Sequence, residues 1–270
     1  MKKPYKLIAL LFLLLNGNAA FSAPSVSEAD SAYNKGEYLK AANIYREVAE
    51  EYGVSANLLF NMGNAYLQDG DYGNAMLCYQ QAKKLDPSNK SINTNLTYLT
   101  GKVEDANKAE QKGKRKKVTE DSLNFFQSIH KSVAQDTASN TWAGWAAATF
   151  LLFAGCVCLY LFNSNVLMRK TGFFGGFILL GISMICLVCA YMGAAEAENH
   201  EYGVVVTFKA QLQTEPNMKG SDKNEGVLTR GTKIRIISEE TDAEGTVTWY
   251  KVRLNSDYIG WLPANEVAII

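Results

Sequence analysis

No charged residue occurs from Thr137 to Met168, and none from Thr171 to Ala195. Two uncharged stretches of this length, separated only by Arg169 and Lys170, constrain the chain more than any other feature. A water-soluble domain holding both would need a very large apolar core, whereas a bilayer supplies that environment directly. The segments expected to cross it are 141–162 and 173–195, the first about 33 Å long as a helix. Trp142, Trp145 and Tyr160 lie near the ends of the first span, where aromatic rings favour the interface. The connecting loop, expected at 163–172, carries Arg169 and Lys170 and no acid. By the positive-inside rule that loop is expected in the cytoplasm.

The first 22 residues read as a secretory signal. Lys2, Lys3 and Lys6 precede the apolar run Leu7–Leu15, which is too short to span, and small residues follow at Ala19, Ala20, Ser22 and Ala23. Cleavage after Ser22 or after Ala19 fits, and an uncleaved anchor shares the same flanks. An exported N-terminus and a cytoplasmic hairpin loop agree with each other. Together they place residues before and after the spans in the periplasm of an inner-membrane protein.

Residues 23–100 contain a repeat of period 34. Gly36 recurs as Gly70, Tyr38 as Tyr72, Ala41 as Ala75 and Tyr45 as Tyr79. In the second unit, Gly63, Tyr66, Gly70, Tyr72, Ala75, Tyr79, Ala82 and Pro87 resemble the tetratricopeptide (TPR) consensus. Gly63 and Ala75 are small where two helices must approach, Gly70 breaks the chain between them, and Pro87 stops the second helix. A capping helix is expected over 89–103, with Ile92, Leu96 and Leu99 as its apolar side. Residues 101–140 are expected to form a linker holding the basic run Lys112–Lys117 and an amphipathic helix with Leu123, Phe126, Ile129 and Val133 on one face. The basic run suits a solvated linker or contact with anionic head groups, and the helix a connector or a membrane-surface element.

Beyond residue 202 the pattern changes to short β-type runs punctuated by Gly226, Gly231, Gly245 and Gly260. The segments Gly231–Ile234, Trp249–Val252 and Gly260–Leu262 resemble a bacterial SH3-like domain, expected over 203–270 as an all-β barrel. Trp261 and Trp249 are expected in its core. The fold class is therefore a multidomain membrane protein: an α-helical TPR domain, two transmembrane helices and a C-terminal SH3-like barrel.

The formal net charge is zero, which argues against nucleic-acid binding by the whole chain. No phosphate-binding glycine loop, nucleophile elbow or metal-ligand cluster occurs. His130 and His200 flank the membrane region and suit solvated or interfacial positions. Cys186 and Cys189 form a Cys-x-x-Cys inside an apolar span, where a thiolate is disfavoured, and Cys156 and Cys158 share that setting. Cys78 is expected to be a packing residue. Neither an enzyme, a cofactor nor a metal is expected.

Binding surfaces remain. In TPR arrays the first helix of each unit lines the groove, giving Asp30, Tyr33, Asn34, Asn57, Phe60, Asn64, Leu67 and Gln68, with Tyr98 as an addition from the cap. Asn64 matches a family position that bonds ligand backbone. The lysines of the TPR carboxylate clamp are missing, since Val26 and Phe60 stand at one such position. Three tripeptides, beginning at Asp30, Asp121 and Asp136, fit an Asp-Ser/Thr-apolar O-glycosylation pattern that also arises by chance.

The order of signal, TPR pair, two spans and SH3-like domain resembles the BatE family, the TPR proteins of the Bat aerotolerance operon. The resemblance implies an inner-membrane scaffold, membrane-anchored von Willebrand A-type Bat proteins as partners, and a link to survival under oxygen or envelope stress. A cell-wall sensor that binds peptidoglycan through the SH3-like domain is the alternative.

Overall fold

The computed structural model describes residues 24–110, 124–216, 226–255 and 258–270. The segment read as a signal, the basic run Lys112–Lys117, Leu123 and the tripeptide beginning at Asp121 lie outside the described residues.

Among the described residues, five helices come first: α1 (Val26–Asn34), α2 (Tyr38–Tyr52), α3 (Ala56–Asp69), α4 (Tyr72–Leu85) and α5 (Lys90–Glu110). Their ends follow local chemistry. Ser25 and Ser55 cap α1 and α3 by accepting from the backbone N–H three residues on, at 3.2 Å in each case, and Asp71 caps α4 from Asn74 N–H at 3.1 Å. Gly36 and Gly70 occupy the same place in the two repeats, and both have positive φ, 81° and 83°. That conformation reverses the chain between the helices of each pair. The repeat-matched Ala41 and Ala75, Tyr45 and Tyr79, and Val48 and Ala82 are all buried in one core.

The cap exceeds its expected length. Ile92, Leu96 and Leu99 are buried as its apolar side, but the helix continues through Val103 and Asn107, both also buried, to Glu110. The linker expected from residue 101 therefore begins no earlier than residue 111. Val103 and Asn107 continue the same helical stripe, and β-strand residues cover them.

A short helix α6 (Phe125–His130) leads through a π-helical turn, Lys131–Gln135, into α7 (Ser139–Phe162) and α8 (Val166–Ala197). Both long helices have the length and apolar character to cross a membrane. They pack as a hairpin. A Cβ on Gly172 would lie 2.7 Å from the Cys156 carbonyl oxygen, and Ser183 Oγ donates to the Ala146 carbonyl at 3.0 Å. The loop is shorter than expected: Asn163–Asn165 alone separates the helices, and Arg169 and Lys170 lie on the first turns of α8. Asn165 caps α8 through the Leu167 N–H, so the helix starts as soon as the chain has turned.

Seven strands follow among the described residues: β1 (Tyr202–Val205), β2 (Lys209–Leu212), β3 (Gly226–Thr229), β4 (Lys233–Thr241), β5 (Val247–Arg253), β6 (Ile259–Pro263) and β7 (Val267–Ile269). They form an antiparallel sheet of order β6-β5-β4-β1-β7 and a second antiparallel pair, β2-β3. Gln213 and Trp261 exchange backbone hydrogen bonds of 2.8 and 3.0 Å, joining β6 to the end of β2. Alternation on β5 and β6 corrects the expectation for the tryptophans. Tyr250, Val252 and Leu262 face the core, so Trp249 and Trp261, one residue out of phase, lie half-buried on the opposite side.

The helical and β parts share a boundary. Val204 and Ile270 belong to the helical core. A Cβ on Gly73 would meet Val206 Cα at 3.1 Å, and one on Gly231 would meet the Tyr72 carbonyl oxygen at 2.9 Å, so backbone approaches backbone here. Asn107 Oδ1 accepts from the Thr229 N–H and hydroxyl at 2.9 and 3.0 Å, and its Nδ2 donates to the Thr232 hydroxyl at 2.9 Å. Lys84 donates to the backbone oxygens of Asn199 and Ile270, and partial burial lowers its pKa.

Candidate functional site

The groove residues proposed from the repeat sit on α1 and α3, the first helix of each pair. One hydrogen bond recurs with the repeat. Tyr45 OH donates to the Asp30 carboxylate, and 34 residues on, Tyr79 OH donates to Asn64 Oδ1 at 2.6 Å. Burial raises the pKa of both phenols well above the ordinary tyrosine value, with the Asp30 carboxylate adding to the effect at Tyr45. The protons stay on the tyrosines, which act as donors.

A third helix completes the second copy. Asn95 Nδ2 on α5 donates to Asn64 Oδ1 at 2.8 Å and to Tyr79 OH at 3.2 Å. The period of 34 points from Asn64 to Tyr98, but the residue that reaches it is Asn95, one helical turn earlier. Tyr98 is exposed, with Lys102 Nζ 5.6 Å from its ring centroid. Asn95 was legible only as a polar residue one turn from Leu99 on a helix otherwise assigned to capping. The two donors fix the orientation of the Asn64 amide: its oxygen faces Tyr79 and Asn95, and its Nδ2 has no hydrogen bond among the described residues.

Around this network the Phe60 ring lies 5.9 Å from that of Tyr79, and Leu67 packs partly into the core. Tyr33 contacts Tyr38 at 5.3 Å. Asn34, Asn57 and Gln68 are exposed and make no side-chain hydrogen bond among the described residues. Phe60, Asn64, Tyr79 and Asn95 thus form one cluster at the second repeat. Asp30 pairs with Tyr45 at the first. The arrangement offers amide and aromatic groups to a partner.

Other candidates from the sequence are dispersed. The five cysteines are free, with Cys78 and Cys186 buried, Cys156 and Cys189 half-buried and Cys158 exposed. Among the described residues, no three His, Cys, Asp or Glu gather in a group that could hold a metal. Ser31 is exposed on α1, while the Thr137 hydroxyl donates to the Ser132 carbonyl at 3.0 Å.

The tetratricopeptide-repeat family model matches residues 56–89, the α3–α4 pair with its flanks. A TPR unit supports a role in protein–protein interaction. No curated protein matches the chain. No solved structure matches it either.

Proposed function

We propose that this chain is a scaffold of the bacterial inner membrane, exposing a TPR groove and an SH3-like domain to the periplasm, where they bind other envelope proteins. The resemblance to the BatE family supports membrane-anchored von Willebrand A-type partners and a role in aerotolerance or envelope stress. The carrying observation is the Asn64 amide. Its oxygen is committed to Tyr79 and Asn95, so its N–H groups are left to meet a partner's backbone carbonyl beside the exposed Asn57 and Gln68. The exposed Phe125, Phe126 and Ile129 of α6 suit a helix resting on the same membrane face.

The test uses a substitution the first repeat already contains. Asn64→Asp retains the oxygen that Tyr79 and Asn95 need, as Asp30 does for Tyr45, but removes the free donors. Combined with Gln68→Ala, it is expected to weaken crosslinking to von Willebrand A-type membrane proteins about tenfold, as loss of one or two hydrogen bonds implies. Far-UV dichroism should not change. Normal partner capture by this variant would remove the groove from the proposal.

A second reading has its own observation. Trp249 and Trp261 lie outside the core, and Lys251 Nζ is 5.9 Å from the Trp261 ring centroid. A half-exposed aromatic and cationic strand face suits peptidoglycan binding by a wall sensor. Sedimentation of the full chain with purified wall, compared with a Trp261→Ala variant, separates this reading from the scaffold.

A further inference from the structure

The tip of the helical hairpin carries two cations, Arg169 and Lys170, that no acidic side chain among the described residues neutralises. Both lie on the first turns of α8. The acids nearest in sequence are Asp136 and Glu196. Both belong to the opposite end of the hairpin, Glu196 about 40 Å away along α8. Arg169 is held over the Tyr160 ring, 5.3 Å from its centroid, at the end of α7. Beside it opens a cleft of about 330 Å³ lined by Tyr160, Val166, Arg169, Lys170, Phe173 and Phe174. The Tyr160 and Phe173 rings meet at its wall, tilted by 45° with centroids 5.7 Å apart, so both helices contribute to the lining.

We propose that this cleft binds one anionic phospholipid, with its phosphate on Arg169 and Lys170 and its acyl chain along Phe173 and Phe174. The mixed lining carries the assignment. Four apolar or aromatic side chains beside two cations without an ion pair among the described residues match a ligand with a charged head and a hydrocarbon tail. A basic pocket between membrane helices at the interface is the place where such a head group is held. A water-soluble anion would use the cations and leave the apolar wall unoccupied. A zwitterionic lipid would use the wall, but its ammonium group would oppose the cations. Arg169 presents a planar donor fork suited to phosphate, held in place by its cation–π contact with Tyr160. The site rests on the hairpin crossing a bilayer and is independent of the groove.

Native mass spectrometry of the full chain in detergent tests it, with phosphatidylglycerol and phosphatidylcholine added at equal concentration. Bound phosphatidylglycerol is expected to exceed phosphatidylcholine about tenfold, given the contribution of each basic residue near anionic lipid. Arg169→Gln with Lys170→Gln should abolish that preference. Phe174→Ala should reduce retention of both lipids, and excess inorganic phosphate should leave the bound phosphatidylglycerol in place. Equal retention of the two lipids overturns the site, as does an undiminished preference in the double variant. Displacement by inorganic phosphate would make it a simple anion site and also overturn the proposal. Reconstitution into phosphatidylcholine nanodiscs keeps two failures apart. A chain that does not enter the bilayer rejects the spanning hairpin, whereas one that enters without lipid preference rejects only the cleft.

Discussion

Gly63 shows how one missing side chain supports both packing and the groove. A Cβ there would lie 2.7 Å from two ring atoms of Tyr79, the residue whose hydroxyl holds Asn64. Gly63→Ala must shift that ring and is expected to cost about 1–3 kcal/mol, as overpacking of a tight core does. Gly63→Leu should unfold the helical part outright. Far-UV dichroism during a thermal melt distinguishes the two, and a melting temperature unchanged in the alanine variant would refute the tight contact. Next to Tyr79 on α4, burial pushes the Cys78 thiol up to about 12. The folded thiol therefore stays protonated at pH 9, where an unfolded cysteine has largely ionised. The unfolded state binds fewer protons above the ordinary thiol pKa, so stability falls as pH rises past about 8.5, by at most about 1.4 kcal/mol per pH unit from this group. Cys78→Ala should flatten that part of the pH–stability curve. In the wild type, alkylation of Cys78 at pH 8 should occur only through unfolding, and rapid labelling of the native chain would contradict its burial.

At the scale of the element, α5 separates what the sequence discloses from what it conceals. Its apolar side at Ile92, Leu96 and Leu99 follows from helical spacing, because a period of 3.6 is a local property. The continuation through Val103 to Asn107 does not. Asn107 reads as a polar residue in a charged stretch, and only its partners on β3 and the β3–β4 turn, more than a hundred residues away, make it a buried one. Asn95 is concealed for the same reason: its ligation of Asn64 depends on how α5 crosses α3, not on the repeat period. The outward placement of Trp261 was concealed by register, since a slip of one residue exchanges the faces of a strand. Where the repeat copies a contact, as with Tyr45–Asp30 and Tyr79–Asn64, the sequence is far more informative. Asn107→Ala would leave the Thr229 N–H and the Thr232 hydroxyl without this partner, at a cost of about 1–3 kcal/mol. Hydrogen exchange of the full chain is expected to show the β3–β4 turn opening about 10–100-fold more often, with α1 and α2 unchanged. An unaffected Thr229 amide would show that Asn107 does not hold the boundary.

For the whole molecule, the boundary between helices and strands bears on membrane topology. α4 and α5 pack directly on β1 and β3, through Val204, Gly231 and the Asn107 network. Parts in such contact cannot lie on opposite sides of a bilayer. Two spans return the chain to the side from which it entered, so the hairpin of α7 and α8 satisfies this condition and a single span would not. An ion pair at the base of the hairpin fits the same arrangement: Lys83 of α4 meets Asp136, just before α7, at 2.6 Å. Contact alone does not distinguish the two sides of the membrane. The proposed periplasmic orientation draws on the signal-like N-terminus and on the cations at the hairpin tip, which favour retention in the cytoplasm. A phosphatase reporter fused after Ile270 is therefore expected to be active, and one fused at Val166 inactive. The reverse pattern would turn the molecule over while leaving the helix–strand boundary intact. Activity at only one side of the boundary, tested by a further fusion after Gly53, would mean that the helical and β parts do not meet in the membrane-inserted chain.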